Sequence, residues 1–360
     1  MRISATLAVM LSAILAFVSP VFAGVAIGDR APALSVREWV HGDAVDILNN
    51  TDKKIHLIEF WATWCPPCKA SIPLLTDYQK KFAKDLVVVG ITDPDPYQNS
   101  PTQIRQFVKS QGSRMNYRVA MDDNGKTSRA YLDTSEAVGI PQAVLVGRDG
   151  KVAWQGSPLD PQMEQVIGKV IAGTYDVASA AQQAELQKKI QKRFQQIDTS
   201  FQLRKMDDVW RGLVDVMKLD PANDMGLQLM AGMYVNEKDW RDSYRKWVRS
   251  HIDQNRGNPL AMATLALTLC RIDDYGLKTP ELAIEAAKAA YDITGGKEQY
   301  TAEIYARTFY QVGALDRAIK LQQQALAVAA PDKKKDAQSI LDFYKKCKML
   351  NASGSLAERP

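Results

Sequence analysis

Two cysteines separated by two prolines, Cys65-Pro66-Pro67-Cys68 within WCPPC, are the residues best equipped for chemistry in this 360-residue chain. Such a pair has three uses: half of a metal site, a covalent staple, or a dithiol that exchanges electrons with other thiols. A structural zinc site takes four Cys or His ligands at short characteristic spacings. The other cysteines, Cys270 and Cys347, lie far along the chain, and His41, His56 and His251 show no ligand spacing. Two thiolates alone would hold Cu(I) only loosely. No metal and no cofactor is therefore assigned. A bridge across two residues closes a very small loop and constrains the unfolded chain little. The redox use asks instead for a thiolate at the start of a helix, where backbone N–H groups and the helix dipole stabilise it.

The surrounding elements meet that demand. The run HLIEFWAT (His56–Thr63) reads as a strand, and the chain from Pro66 to about Ala83 reads as a helix, with proline where the first N–H would be unpaired anyway. Further strands are expected at Leu86–Ile91, Tyr117–Met121, Ala143–Val146 and Val152–Gln155. Helices are expected near Thr102–Gln111, Ser128–Leu132 and Pro161–Ile171. Strands alternating with helices imply an α/β fold with parallel pairs. The turn signal Gly147-Arg148-Asp149-Gly150 makes the last two strands an antiparallel hairpin, so the sheet is mixed.

Past Ala178 the strand-like runs vanish and apolar residues recur at three and four. Ser179 to Phe201 reads as a polar helix. From Ala302 to Pro331, small residues at Ala306, Gly313, Ala318 and Ala325 would let two antiparallel helices approach closely, with Phe309, Leu315 and Leu326 filling the gaps. Ala283, Ile284 and Ala290 repeat the pattern of Ala318, Ile319 and Ala325. Leu219–Asn223 (LDPAN) reads as the end of one unit, Asp239-Trp240 as the opening of another second helix, and Lys333–Lys348 as a capping helix. This unit resembles a degraded tetratricopeptide array of about three to four helix pairs; the other reading is an all-α domain of unrelated helix pairs.

The first residues carry Arg2, an apolar run from Ala5 to Val18 and the small-residue site Val21-Phe22-Ala23. That is the pattern of a signal peptide cut after Ala23. The apolar run falls short of the ~20 residues a spanning helix needs, so no stable membrane insertion is expected after cleavage. The net charge of +5 is not gathered into a stripe with interleaved aromatics, so nucleic acid is not implied.

With these elements in place, IEFWATWCPPCKASIP resembles the active-site segment of thioredoxins along its whole length. Pro73 matches the helix-kinking proline, Glu59 the buried carboxylate that is usually Asp, and GIPQAVLV (Gly139–Val146) the loop whose proline is cis and faces the cysteines. GDRAPALSV (Gly28–Val36) and the insertion beginning LVVVGITDPDPY resemble TlpA-like and ResA-like extracytoplasmic thioredoxins, over about Ile27–Ile171. Gln142 departs from the small β-former common after the loop proline.

The two resemblances together imply a thioredoxin-like mixed sheet followed by an all-α helical-repeat domain, the repeats being no part of the basic TlpA-like subfamily. The expected layout is signal peptide 1–23, thioredoxin-like domain 24–178, connecting helix 179–205, repeats 206–350 and tail 351–360. The thioredoxin resemblance implies a thiol-disulfide oxidoreductase in the periplasm or another extracytoplasmic space. Cys65 would attack and Cys68 resolve the mixed disulfide. Glu59 would relay the proton of Cys68. Trp64, Pro66, Pro67, Ile140 and Pro141 would form an apolar platform for a partner's extended chain. The partners implied are protein thiols and disulfides, with apocytochrome c or copper-site cysteines as candidates, a redox-donor protein, and a protein held by the repeats. Cys270 and Cys347 are expected to be independent buried thiols. Two other readings stay open here: a thiol peroxidase, although Ala62-Thr63-Trp64-Cys65 lacks the Thr-x-x-Cys of peroxidatic sites, and a non-catalytic repeat adaptor.

Overall fold

The computed structural model describes residues 24–50, 53–132, 139–236, 238–273 and 279–352; the segment expected to be a signal peptide and most of the expected tail lie outside them. The chain divides into two compact units that meet in sequence at Lys189 and Ile190, inside the helix Val177–Gln202.

The first unit is built on a six-stranded sheet. In chain order the strands are β1 (Val36–His41), β2 (Ile55–Phe60), β3 (Leu86–Thr92), β4 (Arg118–Asp122), β5 (Gln142–Val146) and β6 (Val152–Gly156). Their order across the sheet is β1-β4-β3-β2-β5-β6. The β2–β3 and β3–β4 pairs are parallel; β1–β4, β2–β5 and β5–β6 are antiparallel. The sheet is thus mixed, and the last two strands form the expected hairpin. Parallel strands covered on both faces read as unbroken apolar runs, and every residue of β3 (LVVVGIT) is buried.

β2 sits near the middle, and its alternation sorts side chains onto two cores. Ile55 and Leu57 face a cluster containing Cys65, Cys68, Ile72 and Leu75, whereas Ile58 and Phe60 face the opposite one with Val144 and Val146. The first cluster lies under α1 (Pro66–Lys81), whose inward positions Cys68, Ser71, Ile72 and Leu75 follow helical spacing. Pro73 lies within α1, exposed. Further helices are α2 (Pro101–Gln111), α3 (Lys126–Tyr131) and α4 (Met163–Ile171).

Two expectations need correction. The strand predicted to run to Thr63 ends at Phe60. The Trp61 N–H still reaches the Ile91 carbonyl, and the chain then leaves the sheet through a turn that joins the Cys65 N–H to the Ala62 carbonyl. The edge strand β1 was not expected at all. Its register against β4 shifts twice, between Val36 and Glu38 and between Trp39 and His41, which breaks the period-two pattern.

The regular elements described in the second unit are all helices. After α5 (Val177–Gln202) come α6 (Met206–Leu219), α7 (Asp224–Asn236), α8 (Arg241–Asn255), α9 (Pro259–Asp273), α10 (Pro280–Thr294), α11 (Gln299–Gln311), α12 (Leu315–Val328) and α13 (Lys334–Ala352). The pair α11–α12 has the small buried seam expected of it: Ala302, Ala306, Ala318 and Ala325 are all inaccessible to solvent. Gly313 turns between them at φ 76°, a left-handed conformation that favours glycine. Ala306, Phe309, Ala318 and Tyr344 of α13 form one cluster. Cys270 and Cys347 are buried thiols in α9 and α13. Among the described residues no helix is long and apolar enough to cross a membrane.

One glycine ties this scaffold to the site. Gly90 of β3 lies opposite Glu59 of β2. A Cβ there would stand 3.0 Å from Trp61 Nε1 and 3.2 Å from Tyr117 Cε2. Gly90→Val should therefore lower stability by about 1–3 kcal/mol through overpacking, read as a lower urea midpoint. An unchanged midpoint would show that the two aromatic rings are free to move.

Candidate active site

Cys65 is the N-cap residue of α1, with extended backbone (φ −85°, ψ 108°). Its Sγ is bonded to that of Cys68. It also accepts the Cys68 backbone N–H at 3.2 Å. This is the cap contact usually made by a Ser or Asp oxygen, and it aims a helix-start N–H at the sulfur. Pro66 and Pro67, the next two residues, have no N–H to add. On its other side Cys65 Sγ lies 3.4 Å from the Ile140 carbonyl oxygen. The Ile140–Pro141 bond is cis, so the expected cis-proline loop does stand against the cysteines.

Both cysteines are buried in this disulfide form, Cys65 at 2% exposure and Cys68 at 0%. The loop at Ile140 covers the Cys65 sulfur. What the site shows to solvent is its rim. Trp64 is 49% exposed, Pro66 and Pro67 are exposed, Ile140 is half-buried and Pro141 is buried. Of the five residues expected to make the platform, Pro141 therefore presents no ring to solvent. The Thr63 N–H donates to Asn99 Oδ1 at 3.0 Å, and Asn99 Nδ2 donates to Thr92 Oγ1 and to the Asp93 carbonyl, each at 2.8 Å. This buried asparagine fixes the turn that carries Trp64.

Beneath the pair lies Glu59, wholly buried on the same face of β2 as the cysteine core. Ser71 of α1 reaches both Glu59 Oε1, by a short hydrogen bond, and the Cys68 carbonyl oxygen at 2.8 Å. The Tyr117 hydroxyl makes a long contact of 3.5 Å to Glu59 Oε2. Burial disfavours the charged carboxylate and pushes Glu59 up from 4.5 to about 8, against the opposing pull of the Ser71 and Tyr117 hydrogen bonds. Burial and the neighbouring Glu59 hold Tyr117 well above its ordinary range, so it stays neutral. Ser71, Tyr117 and Asn99 were not singled out from the sequence. Only Ser71 leaves a signal there, because three residues after Cys68 places it on the same face of the helix.

A reducible bond at a helix start, a cis-proline loop over it and a neutral buried acid below it suit thiol-disulfide exchange. Known proteins agree. A family model described as Redoxin matches residues 26–171. The thiol-disulfide oxidoreductase ResA of Bacillus subtilis is 30% identical over 138 residues, covering 37% of this chain and 69% of that protein. The chain belongs to the ResA-like thiol-disulfide oxidoreductases. Protein FixW of Rhizobium leguminosarum, 26% identical over 153 residues, shares 41% of this chain and 67% of its own length. Among solved structures, a thiol:disulfide interchange protein of the thioredoxin family from Chlorobium tepidum TLS is 22% identical, covering 42% of this chain and 97% of its own, with a TM-score of 0.32. For this ResA-like chain the fold is the thioredoxin-like mixed sheet, followed by helices.

The buried acid has a consequence for stability. Unfolded, Glu59 releases its proton near 4.5; folded, it holds it to about 8. Between those values the folded protein binds more protons, so stability falls as pH rises. Glu59→Gln removes this linkage. The oxidised variant should gain on wild type from pH 5 to pH 9, by up to on the order of 5 kcal/mol, in paired urea titrations. A pH-independent difference between the two would contradict the assignment.

Proposed function

We propose that this protein is exported and reduces disulfides in partner proteins through the Cys65–Cys68 dithiol. The observation that carries the reading is the Cys65 sulfur at the cap of α1, ringed by exposed Trp64, Pro66 and Pro67. Cys65 thiolate attacks the partner's disulfide, forming a Cys65–partner bond and expelling the partner's other sulfur as a thiolate. The ionised fraction of Glu59, which grows as pH nears 8, then takes the proton of Cys68. The Cys68 sulfur attacks Cys65 Sγ, the Cys65–Cys68 bond forms, and the partner's second sulfur leaves as a thiolate that picks up a proton. Two electrons pass from this chain to the partner, and a donor protein must return them. An acid of pKa about 8 is well matched to a thiol of ordinary pKa about 8.5, which favours proton exchange in either direction.

The direction rests on the cap. Cys65 receives one N–H, from Cys68, and the two prolines supply none. A thiolate stabilised this modestly leaves the reduced form less favoured, so the pair donates electrons. The Redoxin match and the family membership support the chemistry. The apolar first residues support export. The paired helices with buried alanine seams support a repeat array that holds a protein partner. We take residues 24–178 as the redox domain, 179–205 as the connecting helix and 206–350 as the repeats. Cysteines of an apocytochrome c or of a copper site are the proposed substrate class.

Cys65→Ser should abolish insulin disulfide reduction. Cys68→Ala should accumulate mixed disulfides at Cys65 that identify the partners by mass spectrometry. Faster alkylation of Cys68 than of Cys65 in the reduced protein, or turnover of peroxide but not of insulin, would overturn the scheme. Equilibration with glutathione should place the potential nearer the thioredoxin value of about −270 mV than the roughly −120 mV of a strong oxidant. A value above about −160 mV on that scale would reverse the direction.

A further inference from the structure

We propose that Ser71 is a positioning residue for this reaction: its single hydroxyl proton switches between Glu59 and the Cys68 carbonyl and so sets the pH at which Cys68 can resolve the mixed disulfide. The proposal rests on the reading above, in which Glu59 takes the Cys68 proton.

Three buried oxygens stand in series: Glu59 Oε1, Ser71 Oγ and the Cys68 carbonyl. Two hydrogen bonds in that chain need two protons, and a serine hydroxyl supplies one. With Glu59 protonated the chain closes. Its O–H donates to Ser71 Oγ, and Ser71 donates to the Cys68 carbonyl. With Glu59 ionised the Ser71 proton must turn to the carboxylate, and the Cys68 carbonyl loses that donor. The hydroxyl therefore reads the charge of Glu59 and transmits it to the backbone of the resolving cysteine.

Among the described residues no other side chain is hydrogen-bonded to both Glu59 and the Cys68 carbonyl. β3 and β5 flank Glu59 with Gly90 and Ala143, which carry no polar side chain. The titratable groups described around it are the two cysteines of α1 and Tyr117, which touches only Oε2 and stays neutral. Lys69, next to Cys68, is exposed, with its ammonium over the Phe107 ring at 5.9 Å. Ser71 is thus the principal group that favours the charged form of Glu59, against the burial that opposes it.

The test uses the full chain with Cys65 carried as its glutathione mixed disulfide, and follows glutathione release across pH in wild type, Ser71→Ala, Glu59→Gln and the double variant. Ser71→Ala removes a hydrogen bond to a charged acceptor. The midpoint of the rate profile should rise by about one pH unit or more, which is roughly tenfold slower release near pH 7. Glu59→Gln should lose the limb near pH 8, and adding Ser71→Ala to it should then change nothing. A Ser71→Ala midpoint equal to wild type, or equal slowing at every pH on both backgrounds, would overturn the role of Ser71 alone. A wild-type profile in Glu59→Gln would overturn the Glu59 reading, and this inference with it.

Discussion

A carboxyl group in a strand buried on both faces is costly unless it stays neutral and hydrogen-bonded. Glu59 is such a group, and much of the first unit is arranged around it. Its opposite number on β3 is Gly90, whose missing side chain leaves room for Trp61 and Tyr117. Its partner from the covering helix is Ser71, three residues beyond Cys68. The acid is thereby kept under the Cys65–Cys68 bond. A solvated carboxylate at the same distance would titrate several pH units too low to exchange protons with a thiol.

Around this acid the two cysteines receive different surroundings from the same short motif. Cys65 caps α1 and lies against the Ile140 carbonyl of the cis-proline loop. Cys68 is one turn in, sealed from solvent and connected through its own carbonyl to Ser71. The two prolines hold the start of the helix while adding no donor to the sulfur. Asn99 ties the preceding turn to the end of β3, which keeps Trp64 at the rim.

The sequence made the junction of β2 with α1 plain, because a buried strand, a cysteine pair and N-terminal prolines each carry their own signal there. The β5–β6 hairpin was equally plain from its glycine turn, and the α11–α12 pair from its spaced alanines. β1 escaped because two register shifts scramble its alternation. The true end of β2 escaped because Trp61 and Ala62 are as apolar as a strand while their backbone turns away. The covering of Cys65 depends on a loop 75 residues further along the chain, a contact no local pattern encodes. Ser71 looks like any helical serine until its two acceptors are seen.

The central claim is that Glu59 is a neutral acid at physiological pH and becomes charged just above it. Infrared difference spectra between wild type and Glu59→Gln, recorded across pH on the oxidised protein, test it most directly. The account predicts a carboxylic-acid C=O band at pH 6.5 that gives way to a carboxylate band by pH 9.5, with a midpoint near 8. A carboxylate band already complete at pH 6.5 would contradict it.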